Sequence, residues 1–121
     1  MVNLWNEYLL IIFDLGQLPD CFGQLKKLEN IQLNQNQLRS LPSSFANLSG
    51  LRQLTLANNN FTTIPDAILN LPNLQLLDLS SNQIIQIPDQ IQTLQADELN
   101  LNDNRVKYDL IWFLDLLSYF R

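Results

Sequence analysis

The chain has 121 residues, enough for one domain and too few for two. Seven Lys and Arg stand against 12 Asp and Glu, and the net charge of −5 argues against nucleic acid or an anionic membrane surface as the main partner. There is no histidine, and Cys21 is the single cysteine, so histidine acid–base catalysis, His-ligated metal, an internal disulfide and a zinc–cysteine cluster are all excluded.

The chain also holds 27 Leu, 15 Asn and 12 Gln, a pairing that a repeat explains. Four of the five prolines fall at 19, 42, 65 and 88, each 23 residues after the last. The first predicted element is the strand half of a degenerate unit over residues 2–17. The 23-residue register, carried upstream, puts Val2, Trp5, Tyr8, Leu10 and Leu15 on inward columns. It puts Leu9, Ile11 and Ile12 outward and Phe13 where later units carry asparagine. Both faces are then apolar, which predicts a strand buried on both sides or paired with another chain, with a short amphipathic helix as the alternative. The run Tyr8 to Phe13 is too short to span a membrane and lacks a basic leader, so the expected location is cytoplasmic. The sequons at Asn47 and Asn60 carry little weight in a chain this rich in Asn.

Four units follow, over residues 18–40, 41–63, 64–86 and 87–108. Leu18, Leu41, Ile64 and Ile87 precede the prolines. Phe22, Phe45, Ile68 and Ile91 come three residues after them, then Leu25, Leu48, Leu71 and Leu94. Leu28, Leu51 and Leu74 lead into a segment such as Leu54-Thr55-Leu56, whose period-two alternation predicts a half-buried strand. The fourth unit is one residue short and has Ala96 in place of a leucine. Each strand is followed by an asparagine, at 36, 59, 82 and 104. A carboxamide both donates and accepts, so Asn36, Asn59, Asn82 and Asn104 are expected to form a ladder that satisfies buried turn backbone. One coil cannot bury its own apolar side chains, and the units must therefore stack.

The pattern LPxxΦxxLxxLxxLxLxxNxL resembles the leucine-rich repeat family over residues 18–108. Its proline-containing form is similar to that of Ras-suppressor-type, plant intracellular Ras-group and many bacterial repeat proteins. The resemblance implies an α/β leucine-rich-repeat solenoid, a short horseshoe arc with a parallel concave sheet and short convex turns. It also implies a non-catalytic protein-binding module, a scaffold or signalling regulator, with small GTPases or their effectors as reasonable partners.

The last element, residues 109–121, is almost wholly apolar. Asp109 can cap a helix there, and the segment predicts a helix lying over the last coil. Trp112, Phe113 and Phe120, with Leu9 and Ile11 at the other end, are candidates for an end interface through which the chain could form a homodimer. Residues 1–121 are thus read as one repeat domain, and self-association through its ends is the alternative to partner binding on the sheet.

The outward strand positions align into columns: Asn30, Gln53, Leu76 and Glu98; Gln32, Thr55, Asp78 and Asn100; Asn34, Ala57, Ser80 and Asn102; Gln35, Asn58, Ser81 and Asp103. This surface is amide-rich and turns acidic toward its C-terminal end, which favours a basic protein partner. The alternative is plain solvated surface. Catalysis finds little support. Asp78 and Glu98 lack a pocket for glycoside chemistry, Ser80 and Ser81 lack a base, and Cys21 lacks activating neighbours. No EF-hand spacing appears, and no cofactor or metal is expected.

Overall fold

A computed structural model describes residues 3–5 and 8–107. It contains one six-stranded sheet in chain order: β1 (Asn3–Trp5), β2 (Leu9–Ile12), β3 (Asn30–Gln32), β4 (Gln53–Thr55), β5 (Leu76–Asp78) and β6 (Glu98–Asn100). β2 to β6 run parallel, and β1 lies antiparallel against β2. The register aligns Leu10, Ile31, Leu54, Leu77 and Leu99 across the sheet. Each strand is only three or four residues long because an alternating pair of inward residues is all that one coil supplies.

The return path is set by the prolines. Each sits in extended conformation, with φ between −59° and −71°, and its carbonyl accepts an N–H three residues on. Those bonds run from Phe22, Phe45, Ile68 and Ile91 at 3.0–3.1 Å. They close 3₁₀ turns at Asp20–Gln24, Ser43–Asn47 and Asp89–Thr93, and one α-helical turn at Asp66–Leu69. Fixed φ and a missing donor suit proline to that entry position. The turns carry Phe22, Phe45, Ile68 and Ile91 inward, and the rings of Phe22 and Phe45 stack with centroids 5.6 Å apart.

The core is a single column shared by all coils. Ile31, Leu33, Leu54, Leu56, Leu77 and Leu79 are completely buried. Burying each such side chain contributes about 1.5–3 kcal/mol. Ala96 is buried at its shortened position in the fourth unit. The column loosens at its ends. Leu25, expected inside, is 47% exposed, because among the described residues no earlier coil has a convex turn to cover it. Leu99, Leu101 and Val106 are only partly buried. The expected helix and cap over 109–121, and with them Trp112, Phe113 and Phe120, lie outside the described residues, as do Val2 and the side chain of Trp5.

The N-terminal register differs from expectation. Leu10 pairs with Ile31, 21 residues along, whereas Ile31 pairs with Leu54 at the full period of 23. Tyr8 is therefore not inward; it is 50% exposed at the rim. Its carbonyl accepts the N–H groups of Glu29 and Asn30, as the Glu29 carbonyl accepts those of Arg52 and Gln53. Ile12, expected outward, is buried. Phe13 does not take the asparagine position. Two residues are missing there, because Leu15 already makes the bonds of Leu38: its N–H donates to Asn36 as that of Leu38 donates to Asn59. The expected partner for this strand is supplied within the chain, by β1.

Candidate concave binding face

The strands project alternate side chains away from the core, and the parallel register stacks these into columns. Leu9, Asn30, Gln53, Leu76 and Glu98 form one; Ile11, Gln32, Thr55, Asp78 and Asn100 form the next. With strands about 4.8 Å apart, the five parallel strands give a surface on the order of 19 Å wide. Leu9 and Ile11, read from sequence as part of an end interface, thus stand in the same columns as the polar residues. The 23-residue register already turned both outward, beside Gln32 and Asn34; the 21-residue offset decides which columns they join, Leu9 with Asn30 and Ile11 with Gln32.

Part of the polar strip is committed to the fold. Asn34 Oδ1 accepts the Ala57 N–H at 2.7 Å and so links neighbouring coils. Asp78 Oδ1 accepts the Ser80 N–H, and Asn100 Oδ1 accepts the Asn102 N–H, each a short local turn. Asn30 Nδ2 donates to Gln53 Oε1 at 3.0 Å. Open capacity remains. Gln53, Glu98, Asn100 and Asn102 are exposed, and Gln32, Thr55, Leu76, Asp78 and Ser80 are partly exposed. Two polar atoms in the middle of the strip, Asn30 Oδ1 and Thr55 Oγ1, are buried without a hydrogen-bond partner. No Lys or Arg occupies an outward position on β2 to β6.

The fourth expected column is not part of the strip. Gln35, Asn58, Ser81 and Asp103 have φ of 55–58°, in the left-handed region, as does Asp14. They turn the chain off the sheet, so Asn58 belongs to the rim. Ala57 is buried.

Behind the rim lies a second polar array. Asn59 Oδ1 accepts the Leu38 N–H at 3.1 Å, and its Nδ2 donates to the carbonyls of Leu33 and Leu56 at 2.9 and 3.0 Å. Asn82 does the same for Phe61, Leu56 and Leu79, and Asn104 for Ile84, Leu79 and Leu101. Asn36 bonds Leu15, Ile12 and Leu33. Each carboxamide thereby ties its own coil to the preceding one.

Elsewhere the surface is shallow. A depression of about 360 Å³ on the convex side is lined by Arg39, Ser43, Thr63, Asp66 and Asn70, and one of about 430 Å³ at the rim by Glu29, Arg52, Asn73 and Asp97. Among the described residues no group of three or more Cys, Asp and Glu converges to hold a metal ion. Cys21 is exposed on a convex turn.

The leucine rich repeat family model matches residues 18–61 and 50–106. No curated protein sequence matches the chain. Among solved structures, a leucine-rich repeat protein of Leptospira interrogans is 29% identical, with a TM-score of 0.79, over 88% of this chain and 28% of its own. The leucine-rich repeat domain of APL1B is 25% identical, with a TM-score of 0.69, over 81% of this chain and 29% of its own. The plant peptide hormone receptor RGFR1, in complex with RGF2, is 26% identical, with a TM-score of 0.57, over 84% of this chain and 22% of its own. The chain thus spans less than a third of the length of each of these proteins.

Proposed function

The chain belongs to the leucine-rich repeat family, whose fold generally mediates protein–protein contact, and on that footing we propose that it is a non-catalytic module binding a protein partner on its concave face. The carrying observation is the strip itself. Evenly spaced amide, hydroxyl and carboxylate side chains stand on the sheet, exposed or partly exposed, with no basic residue among the outward strand positions. Asp78 and Glu98 favour a partner that presents Lys or Arg. A scaffold or signalling role, and a small GTPase or effector as the partner, are the finer form of the same reading.

Site-specific photocrosslinking tests it. A crosslinker at Gln53, on the strip, is compared with one at Gln92, on the convex turn, in extracts of the cells that make the protein. The reading expects one specific adduct from Gln53, competed by unlabelled chain and lost in the Gln53→Arg, Asp78→Arg double variant. An adduct of the same protein from Gln92 alone, or one indifferent to the double variant, overturns it.

A further inference from the structure

We propose that the concave strip takes an extended peptide segment of its partner, laid across the strands, with an apolar side chain over Leu9 and Ile11 and a Lys or Arg four to six residues away at Asp78 and Glu98. This rests on the concave-face reading above and names the chemistry that the face would select.

Three observations converge on it. First, the strip is graded along its length. Leu9 and Ile11 stand at one end in the same columns as Asp78 and Glu98 at the other, with amides and a hydroxyl on the two strands between β2 and β5 and Leu76 beside Asp78. The outward positions supply no positive charge to neutralise the acidic end. Second, the middle of the strip holds two polar atoms without partners, Asn30 Oδ1 and Thr55 Oγ1. Both oxygens are covered as they stand; turned outward, for Asn30 with loss of its bond to Gln53, they would meet the amides of a peptide backbone crossing β3 and β4, and leaving such atoms unpaired is unfavourable. Third, β3, β4 and β5 each have a strand on both sides. No ligand can add to them edge-on, and only contact across their side chains remains.

The spacing follows from geometry. β2 and β5 are three strand intervals apart, about 14 Å, and β2 and β6 four intervals, about 19 Å. An extended chain rises about 3.3 Å per residue, so the apolar and basic anchors fall four to six residues apart.

The test uses the full chain and labelled ten-residue Gly/Ser peptides read by fluorescence anisotropy. One set carries a single Leu and a single Arg five residues apart, in both orders. Controls carry Leu alone, Arg alone, or Leu with Glu in place of Arg. The expected result is at least tenfold tighter binding of one Leu/Arg peptide than of any control. Glu98→Lys, at an exposed position, should weaken that peptide severalfold and improve the Leu/Glu one. Thr55→Val should weaken binding while leaving the melting temperature unchanged or raised, which separates a ligand contact from a folding defect. Equal binding of all peptides, or an Arg preference that survives Glu98→Lys, overturns the proposal. Loss of peptide binding to a chain that light scattering shows to be dimeric overturns it in favour of a second copy on the same face. If no peptide binds while the Gln53 crosslink still forms, the segment chemistry is wrong and the concave-face reading stands.

Discussion

Asn59 shows how much one side chain carries in this fold. It closes bonds to Leu38, Leu33 and Leu56, on its own coil and the one before, from a site only 5% exposed. Leucine has the same branched skeleton, but it is bulkier, leaves the buried Leu38 N–H without a partner and removes one of the two side-chain donors at each of the Leu33 and Leu56 carbonyls. Asn59→Leu is therefore expected to destabilise the protein by about 1–3 kcal/mol. A urea unfolding midpoint equal to that of the parent would refute the ladder as a source of stability. Aspartate is a sharper probe, since it keeps the acceptor for Leu38 and loses both donors while adding a buried charge. Asn59→Asp should thus be at least as damaging as Asn59→Leu.

At the level of elements, the turns differ where the sequence suggests equivalence. Residues 23, 46, 69 and 92 share a register position, occupied by Gly, Ala, Leu and Gln. The first is under a constraint that the others escape. A Cβ on Gly23 would overlap the Ser44 carbonyl oxygen and lie 2.7 Å from its carbonyl carbon. Ser44 Oγ also donates to the Asp20 carbonyl at 2.6 Å, locking the turns Asp20–Gln24 and Ser43–Asn47 together. Gly23→Ala must push these turns apart, and the stacked rings of Phe22 and Phe45 move with them. A loss of about 1–3 kcal/mol is expected by thermal or urea denaturation, although alanine normally favours a helical turn over glycine. A stabilised Gly23→Ala variant would show that the approach is softer than the structure indicates.

For the whole molecule, stability depends on neighbours. In a stacked array each coil is held by the coils on either side, so an inner coil has two interfaces and an end coil fewer. Leu54 and Leu77 are completely buried, whereas Leu99 is half-buried, and the described core thins toward β6. Hydrogen exchange should follow that gradient. The Leu56 amide, bonded to the Asp78 carbonyl at 2.7 Å, should exchange more slowly than the Glu98 amide, bonded to the Gln75 carbonyl at 3.0 Å. A difference of roughly tenfold or more corresponds to about 1.4 kcal/mol of local stability. Equal protection would refute the dependence of local stability on the number of neighbouring coils.

The repeat, its period, the inward leucines other than Leu25, the proline turns and the polar strip are all legible from residue order alone. Each of these is local, because a repeated spacing gives the chain the same inward and outward positions in each unit, and stacking only reinforces it. Tertiary structure decided what depends on how one unit meets the next. The 21-residue offset of β2 moved Tyr8 to the rim, buried Ile12 and shifted Leu9 and Ile11 by one column each, to Asn30 and Gln32; a shift of two residues keeps the alternation intact and so leaves no trace in periodicity. The left-handed backbone at Asn58 and its equivalents was hidden for the same reason, since a strand and the turn that ends it share one polar run. Gly23 and the orphan oxygens of Asn30 and Thr55 were illegible because a close approach and a missing partner are properties of two coils together.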